Sequence, residues 1–228
     1  MLHLKQITMQ WQSQKMPPLL TDFSLTIEAG KITVLQGPSG CGKSTLLSAI
    51  AGTSPAALSI SGDIILNGID LLSLPPEKRQ IGILFQEALL FPHLTVGDNL
   101  AFGIPPSISR ADRKKAISSA LAQADMADYE KADPAILSGG QKARIAMMRA
   151  MLSEPKLLLM DESFAALDPE LRQQFGHFVS TQIEMRQIPA LLISHHEDDR
   201  RFATGAVVKW PSQSAGNKVK MTDKSRYI

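Results

Sequence analysis

Cysteine occurs once in the 228 residues, at position 41. A single thiol excludes an internal disulfide framework and fits a reducing compartment. No apolar run approaches the about 20 residues that a membrane-spanning helix needs, so any passage through a membrane must come from another chain. The first residues, Met1 to Gln6, alternate and run on to Gln10 and Gln12, which is not the pattern of a secretory signal. An excess of either charge is also missing: 24 Lys and Arg stand against 22 Asp and Glu, a formal charge of +2. A partner held mainly by electrostatics, duplex nucleic acid above all, is therefore not expected. There is no internal repeat and no low-complexity segment. The length suffices for a full core and suits one large domain better than two ordinary ones.

What is present centres on residues 37 to 45, Gly-Pro-Ser-Gly-Cys-Gly-Lys-Ser-Thr, between the apolar runs Ile32 to Leu35 and Leu46 to Ile50. This is the strand, glycine-rich loop, helix form of a phosphate-binding loop, G-x-x-x-x-G-K-[ST]. Gly37, Gly40 and Gly42 permit tight backbone geometry, including positive φ. Successive N–H groups of Pro38-Ser39-Gly40-Cys41 and beyond, Pro38 itself excepted, can then face a polyphosphate above a positive helix end. Lys43 is placed to reach the β- and γ-phosphates, and Ser44, followed by Thr45, to offer a hydroxyl to Mg²⁺. The competing reading is a glycine-rich turn that only joins a strand to a helix. Cys41 reads as a small residue that fits the loop.

Taken in order, residues 2 to 10 alternate with one slip, which predicts a strand near a sheet edge, and residues 23 to 27 alternate again. Residues 62 to 70 predict a short strand ended by the turn Asn67-Gly68. Ile81 to Phe85 reads as a buried strand delivering Gln86. Thr95 can cap a helix over 96 to 102, and Ser109 with Asp112 resembles a capping box for a helix over 109 to 124 with the stripe Ile117, Ala120, Leu121 and Ala124. A helix follows Gln141 as far as about Leu152, with Ala143, Ala146, Met147 and Ala150 on one face. Leu157 to Met160, wholly apolar, predicts a central parallel strand. Asp168-Pro169 starts another helix, Asp as cap and Pro at its first position. Ala190 to Ser194 is a further central strand, residues 205 to 209 a last one, and 211 to 228 a polar, frayed tail. Strands alternating with helices predict an α/β domain with parallel central strands.

In such sheets ligands gather at the carboxyl ends of strands. Just beyond four predicted strand ends lie the phosphate loop, Gln86, Asp161-Glu162 and His195. Asp161 is the natural partner of Mg²⁺ beside the loop. Glu162 can polarise a water for attack on the γ-phosphate. Gln86 can touch the metal or that water, and His195 can hold the γ-phosphate from the other side. Each of these, taken alone, is also readable as an ordinary polar residue at a strand end.

Leu137-Ser138-Gly139-Gly140-Gln141 adds a second glycine pair at a helix start, hence a second set of bare N–H groups for an anion. Two such devices imply two phosphate sites, or one shared across a dimer. With these five residues the chain resembles the ATP-binding subunits of ABC transporters, over about residues 1 to 209. The motifs fall in family order: Trp11, the 37–45 loop, Gln86, residues 137–141, Asp161-Glu162, Ala166-Leu167-Asp168 and His195.

The resemblance implies a P-loop NTPase core with a mainly parallel sheet, an N-terminal antiparallel β part, and a helical subdomain of about 87–153 within a domain of 1–210. It also implies ATP and Mg²⁺ as ligands. Two copies would form a head-to-tail dimer, each ATP held by the phosphate loop of one and Ser138, Gly139, Gly140 and Gln141 of the other. Trp11 would stack on adenine, Glu162 would act as general base and His195 as switch histidine, and Asp168 would lie in the dimer-facing loop.

Family membership further implies integral-membrane permease subunits docking near Leu89–Leu94, with Leu89, Leu90, Phe91, His93 and Leu94 as lining. A substrate-binding protein would act through the permease. The location would be peripheral, on the cytoplasmic side of the inner membrane. Residues 81 to 102 resemble importers of polyamines, iron, sulfate and thiamine more than exporters. A soluble ABC ATPase that remodels a protein or nucleic-acid complex is the alternative, and the absent coiled-coil insertion and balanced charge stand against it. The chain departs from the family at Ser163, where proline usually follows the catalytic glutamate, and at Ala165, usually serine. The C-terminal part is too short for the regulatory barrel of some importer relatives.

Overall fold

The computed structural model describes residues 1–12 and 17–211. The expected fraying of the C-terminal tail therefore concerns residues that lie, from 212 onward, outside those described.

Two sheets form the frame. The first is antiparallel and joins β1 (Leu2–Trp11), β2 (Leu20–Ile27), β4 (Leu58–Leu66) and β5 (Ile69–Asp70) in the order β2-β1-β4-β5. The second joins β3 (Ile32–Gln36), β6 (Ile81–Leu84), β7 (Leu157–Asp161), β8 (Ala190–Ser194) and β9 (Val207–Lys209) in the order β6-β7-β8-β3-β9, every pairing parallel. The expected parallel core and antiparallel N-terminal part are both present.

At three strands the structure refines or corrects the expectation. β1, expected near an edge, lies one strand in from it, between β2 and β4. Its one slip in alternation is a bulge: the register with β4 shifts between Lys5 and Thr8, and Gln6 has φ 51°. Leu2, Leu4, Ile7 and Met9 all stay buried because the extra residue resets the period. Gly62 makes this possible, since with φ 97° a Cβ there would sit 2.5 Å from the carbonyl oxygens of Lys5 and Gln6. The strand expected over 62–70 is two strands, β4 starting back at Leu58 and β5 following the Asn67-Gly68 turn. β6 sits at the edge of the parallel sheet, and Ile81 and Ile83 are only half-buried.

Five helices appear among the described residues: α1 (Lys43–Ala51), α2 (Val96–Ala101), α3 (Arg110–Gln123), α4 (Gly139–Leu152) and α5 (Pro169–Arg186). Thr95, Ser109 and Asp168 cap α2, α3 and α5 as their sequence positions predict, and Ser138 caps α4, which starts at Gly139 rather than after Gln141 as expected. One core lies between the antiparallel sheet, α1 and one face of the parallel sheet, with Leu4, Phe23, Leu46, Ile50, Leu159 and Ile193. A second covers the other face with Val34, Met160, Phe164, Phe175 and Val179. A third unites α2, α3 and α4 through Val96, Leu100, Ile117, Leu121, Ile145 and Met148. α4 serves two cores at once, Met147 and Met151 in the second and Ile145 and Met148 in the third. Its apolar surface is thus wider than the single face of small residues expected for it.

Candidate functional site

β3 ends at Gln36 and the chain turns through the 37–45 loop into α1. Gly40 and Gly42 have φ 76° and 109°, the left-handed conformations that glycine alone adopts without strain. Gly37 is required for a different reason: a Cβ there would lie 2.6 Å from Cβ of Trp210. The N-cap of α1, Gly42, has no side-chain acceptor and the first turn carries no acid. Among the described residues the first N–H groups of α1 have no side-chain cap, which suits this end to an anion. Lys43 is buried, and its Nζ donates to the carbonyl oxygens of Gly37 at 2.9 Å and Pro38 at 2.8 Å.

A cleft of about 790 Å³ opens over this loop, within the about 300–1,000 Å³ range of small-molecule sites. Ser39, Gly40, Gly42, Lys43, Ser44 and Thr45 line it, with Trp11, Gln86, Asp161 and Glu162. Cys41 instead packs against the first core. The strands thus bring together Trp11, the loop, Gln86 and the acidic pair, residues up to 151 apart in sequence.

At the centre, Ser44 Oγ donates to Asp161 Oδ1 at 3.0 Å. Burial raises the Asp161 pKa above its ordinary value, and the neighbouring Glu162 charge adds to the rise, while the Ser44 hydrogen bond and Lys43 oppose it. Glu162 takes φ 48°, a left-handed conformation for a residue with a side chain. Its Oε1 lies 2.8 Å from Nδ1 of His195, which β8 delivers from the adjacent strand end. The hydroxyl of Ser44, the carboxylate of Asp161 and the amide oxygen of Gln86 are hard oxygen donors suited to Mg²⁺. Among the described residues no group of three His, Cys, Asp or Glu side chains could hold a metal. This donor set fits an ion that keeps several ligands from phosphate and water, the usual habit of Mg²⁺.

Ser138 to Gln141 do not line this cleft. They begin α4, and their end of the helix is not as bare as the glycine pair suggests. Ser138 Oγ accepts from the Gln141 N–H, and Gln141 Oε1 accepts from the Ser138 N–H at 2.9 Å, a complete capping box. The N–H groups of Gly139 and Gly140 are what remains for an anion. Asp168 likewise spends its carboxylate at a helix start, Oδ1 accepting from the N–H groups of Glu170 and Leu171, and does not line the cleft.

A second cleft lies on the far side of residues 85–89. Phe85, Gln86, Glu87 and Leu89 line both clefts, so this short segment is the wall between them. Of the residues expected to meet a permease, Leu89 and Phe91 line this second cleft, Leu90 packs against the neighbouring cores, and His93 and Leu94 do not line it. Phe102, 70% exposed, and Phe85, 51% exposed, complete its apolar rim and were not foreseen. Trp210 beneath the phosphate loop and Arg149 were also missed. Arg149 on α4 donates to the carbonyl oxygens of Ala88 and Leu89, tying the wall to the helix that Ser138 begins.

Comparison with known proteins identifies the family and the fold. The family model described as ABC transporter matches residues 20–165. The chain is 40% identical over 199 residues to an uncharacterized ABC transporter ATP-binding protein, YnjD, of Escherichia coli strain K12, covering 87% of this chain and 90% of that one. It is 41% identical over 210 residues to the thiamine import ATP-binding protein ThiQ of the same strain, covering 91% and 87%. It is 43% identical over 188 residues to the spermidine/putrescine import ATP-binding protein PotA of Hahella chejuensis, covering 82% of this chain and 48% of that one. Among solved structures, the dimeric post-hydrolysis state of the ATP-binding cassette MJ0796 bound to ADP and Pi matches with a TM-score of 0.73 at 26% identity, over 92% of this chain and 94% of that one. No helix among the described residues is long and apolar enough to cross a membrane. By its loop, its acidic pair, its fold and its relatives, the chain belongs to the ABC transporter family, as an ATPase subunit.

Proposed function

We propose that this subunit powers solute uptake as a head-to-tail dimer beneath permease subunits, on the cytoplasmic side of the inner membrane. The observation that carries the dimer is the separation of the two phosphate-binding devices. The cleft holds Lys43, Ser44, Asp161 and Glu162 but not Ser138 to Gln141, so the second device must serve another copy's cleft. The dimeric neighbour with ADP and Pi supports this, and the import relatives support uptake. The cleft lined by Phe85, Leu89, Phe91 and Phe102 is the proposed permease seat, because exposed apolar patches of this kind mark interaction sites. A substrate-binding protein would deliver its cargo to that permease.

In this reading the phosphates of ATP lie along the loop N–H groups, and Lys43 turns its ammonium from the Gly37 and Pro38 carbonyls to the β- and γ-oxygens. Ser44, Asp161 and Gln86 would hold Mg²⁺, which when bound offsets phosphate charge. Trp11 offers a π face to the adenine. Glu162 accepts a proton from water as its oxygen bonds to the γ-phosphorus, and the bond to the β–γ bridging oxygen breaks with its electron pair leaving on ADP. His195, already bonded to Glu162, holds that carboxylate in place and can turn toward the γ-phosphate. Loss of the bridging phosphate opens the dimer, and residues 85–89, shared by both clefts, carry the change to the permease seat.

Two variants test this. Glu162→Gln should slow ATP hydrolysis by at least about a hundredfold, the scale of a lost general base, and accumulate an ATP-bound dimer on gel filtration. Ser138→Arg should abolish turnover while one subunit still binds ATP. Normal hydrolysis in the first removes Glu162 as base, and full turnover in the second removes the shared site.

A further inference from the structure

We propose that Arg172 and Asp199 are positioning residues that brace the loop after Glu162 against the segment carrying His195, an inference that rests on the roles given above to Glu162 and His195. Neither residue touches the cleft. Arg172, one turn into α5, bends back over the loop that precedes the helix. Its Nε donates to the Phe164 carbonyl at 3.1 Å, and its Nη2 to those of Ala165 at 3.3 Å and Leu167 at 3.5 Å. Its Nη1 lies 3.9 Å from Oδ1 of Asp199. The other oxygen of Asp199, Oδ2, accepts from Ser194 Oγ at 2.6 Å, and that hydroxyl in turn accepts from the N–H of His196 at 3.0 Å.

The contacts close a ring. From Glu162 the chain runs through residues 163–167 to the guanidinium, across to Asp199, through the Ser194 hydroxyl to the histidine segment, and back by His195 Nδ1 to Glu162 Oε1 at 2.8 Å. The geometry of base and histidine is thereby set from both sides. Two features indicate that this ring is not kept for stability. The Asp199 side chain is 2% exposed, and its Oδ1 has no hydrogen-bond partner among the described residues, only the ion pair. Replacing both members of a buried pair by well-packed apolar residues is often neutral or stabilising, so imperfect geometry of this kind is weak evidence for a stabilising role. In addition, residue 163 is Ser, so no proline ring stiffens the loop, and the three carbonyls held by Arg172 supply that restraint instead. Asp168, at the end of the same loop, is the residue assigned to the face of the second copy, so the brace ties the dimer-facing loop to the hydrolysis pair.

The test uses the full chain with Mg-ATP and compares Asp199→Asn, which is close to isosteric, with Arg172→Met and the double variant. Each single variant should lower kcat by about tenfold or more while KM for ATP stays within about threefold, and the double should fall no further than the worse single, as for residues that act as one unit. Ser194→Ala, a small change at the middle of the ring, should lower kcat in the same way. Should Arg172→Met fail to fold, Asp199→Asn and Ser194→Ala decide the matter. Unchanged kcat in both, losses that multiply in the double variant, or kcat falling only together with ATP binding would each overturn the brace. Glu162→Gln is run in parallel: if it turns over normally, the reading of the hydrolysis pair has failed, whereas an inactive Glu162→Gln beside fully active ring variants refutes the brace alone.

Discussion

Trp210 supports the phosphate loop from below, and its removal separates stability from nucleotide binding. The residue is 9% exposed, its ring stacks on Phe23 with centroids 6.4 Å apart, and its backbone N–H donates to the Gln36 carbonyl at the end of β3. Its Cβ lies 2.6 Å from where a Cβ on Gly37 would sit and its Cζ2 3.3 Å from where one on Gly42 would, so one side chain fills the space beside both glycines. Trp210→Ala deletes a large buried aromatic, at a cost of about 3–5 kcal/mol. For a chain of this length each kcal/mol shifts Tm by about 2–4 °C, so a fall of roughly 6–20 °C is expected in a thermal melt. The loop also loses the surface that selects its binding conformation, and apparent affinity falls with the fraction of competent loop. ATP binding, measured with a fluorescent analogue below the melting range, should weaken by about tenfold or more, which is about 1.4 kcal/mol. Phe23→Ala is the control, since it removes the ring partner and comparable core without baring Gly37 and Gly42. The reasoning fails if the two variants lose ATP affinity equally, or if Trp210→Ala melts within about 2 °C of the parent.

Two further outcomes follow from buried charges. Arg79 is 7% exposed, and its guanidinium donates to the carbonyls of Ala49 and Ile50 at the end of α1 and to that of Leu74. Hydrogen bonds to charged groups are worth about 1.5–3 kcal/mol each, and part is returned when the buried cation is removed, so Arg79→Met should cost about 2–4 kcal/mol in chemical denaturation. Asp161 has its pKa raised by burial, so the folded protein binds a proton more tightly than the unfolded chain does. Stability from this group therefore falls as pH rises from the ordinary carboxylate value of 3.8 through the raised folded value. Without nucleotide, Asp161→Asn should melt a few degrees higher than the parent at neutral pH, an advantage that shrinks on acidification, yet it should lose Mg²⁺-dependent hydrolysis. A variant that melts lower at neutral pH and gains no relative stability there would contradict the sign.

The motifs were legible because their chemistry is local. A phosphate loop needs glycines, Lys43 and Ser44 within nine residues, and a helix start announces itself through Ser109 and Asp112 or Asp168 and Pro169. Elements with one clean period were legible for the same reason, as with the stripe of α3. Positions set by a partner from far along the chain were not. β1 reads from its alternation only as a strand near an edge, because nothing in residues 2 to 11 states that β2 and β4 will pair on its two sides. Its slip at Lys5-Gln6 became a bulge only when Gly62 met those carbonyls. Leu90, expected as lining, packs against the cores, and Phe102, for which no role was expected, is exposed at the cleft, since hydrophobicity alone does not say which side chain faces which.

By itself the sequence determined the reaction class: a loop for polyphosphate, an acidic pair at a strand end, and a second glycine pair at a helix start, which leaves open two phosphate sites or one shared between copies. Those depend on residue type and short spacing, which are written along the chain. Tertiary structure alone decided that residues 85–89 wall both clefts, that Trp210 underlies the loop, and that Arg172 reaches Asp199. Each of these rests on packing between strands and helices distant in sequence, where side-chain direction follows from the whole sheet rather than from any segment of it.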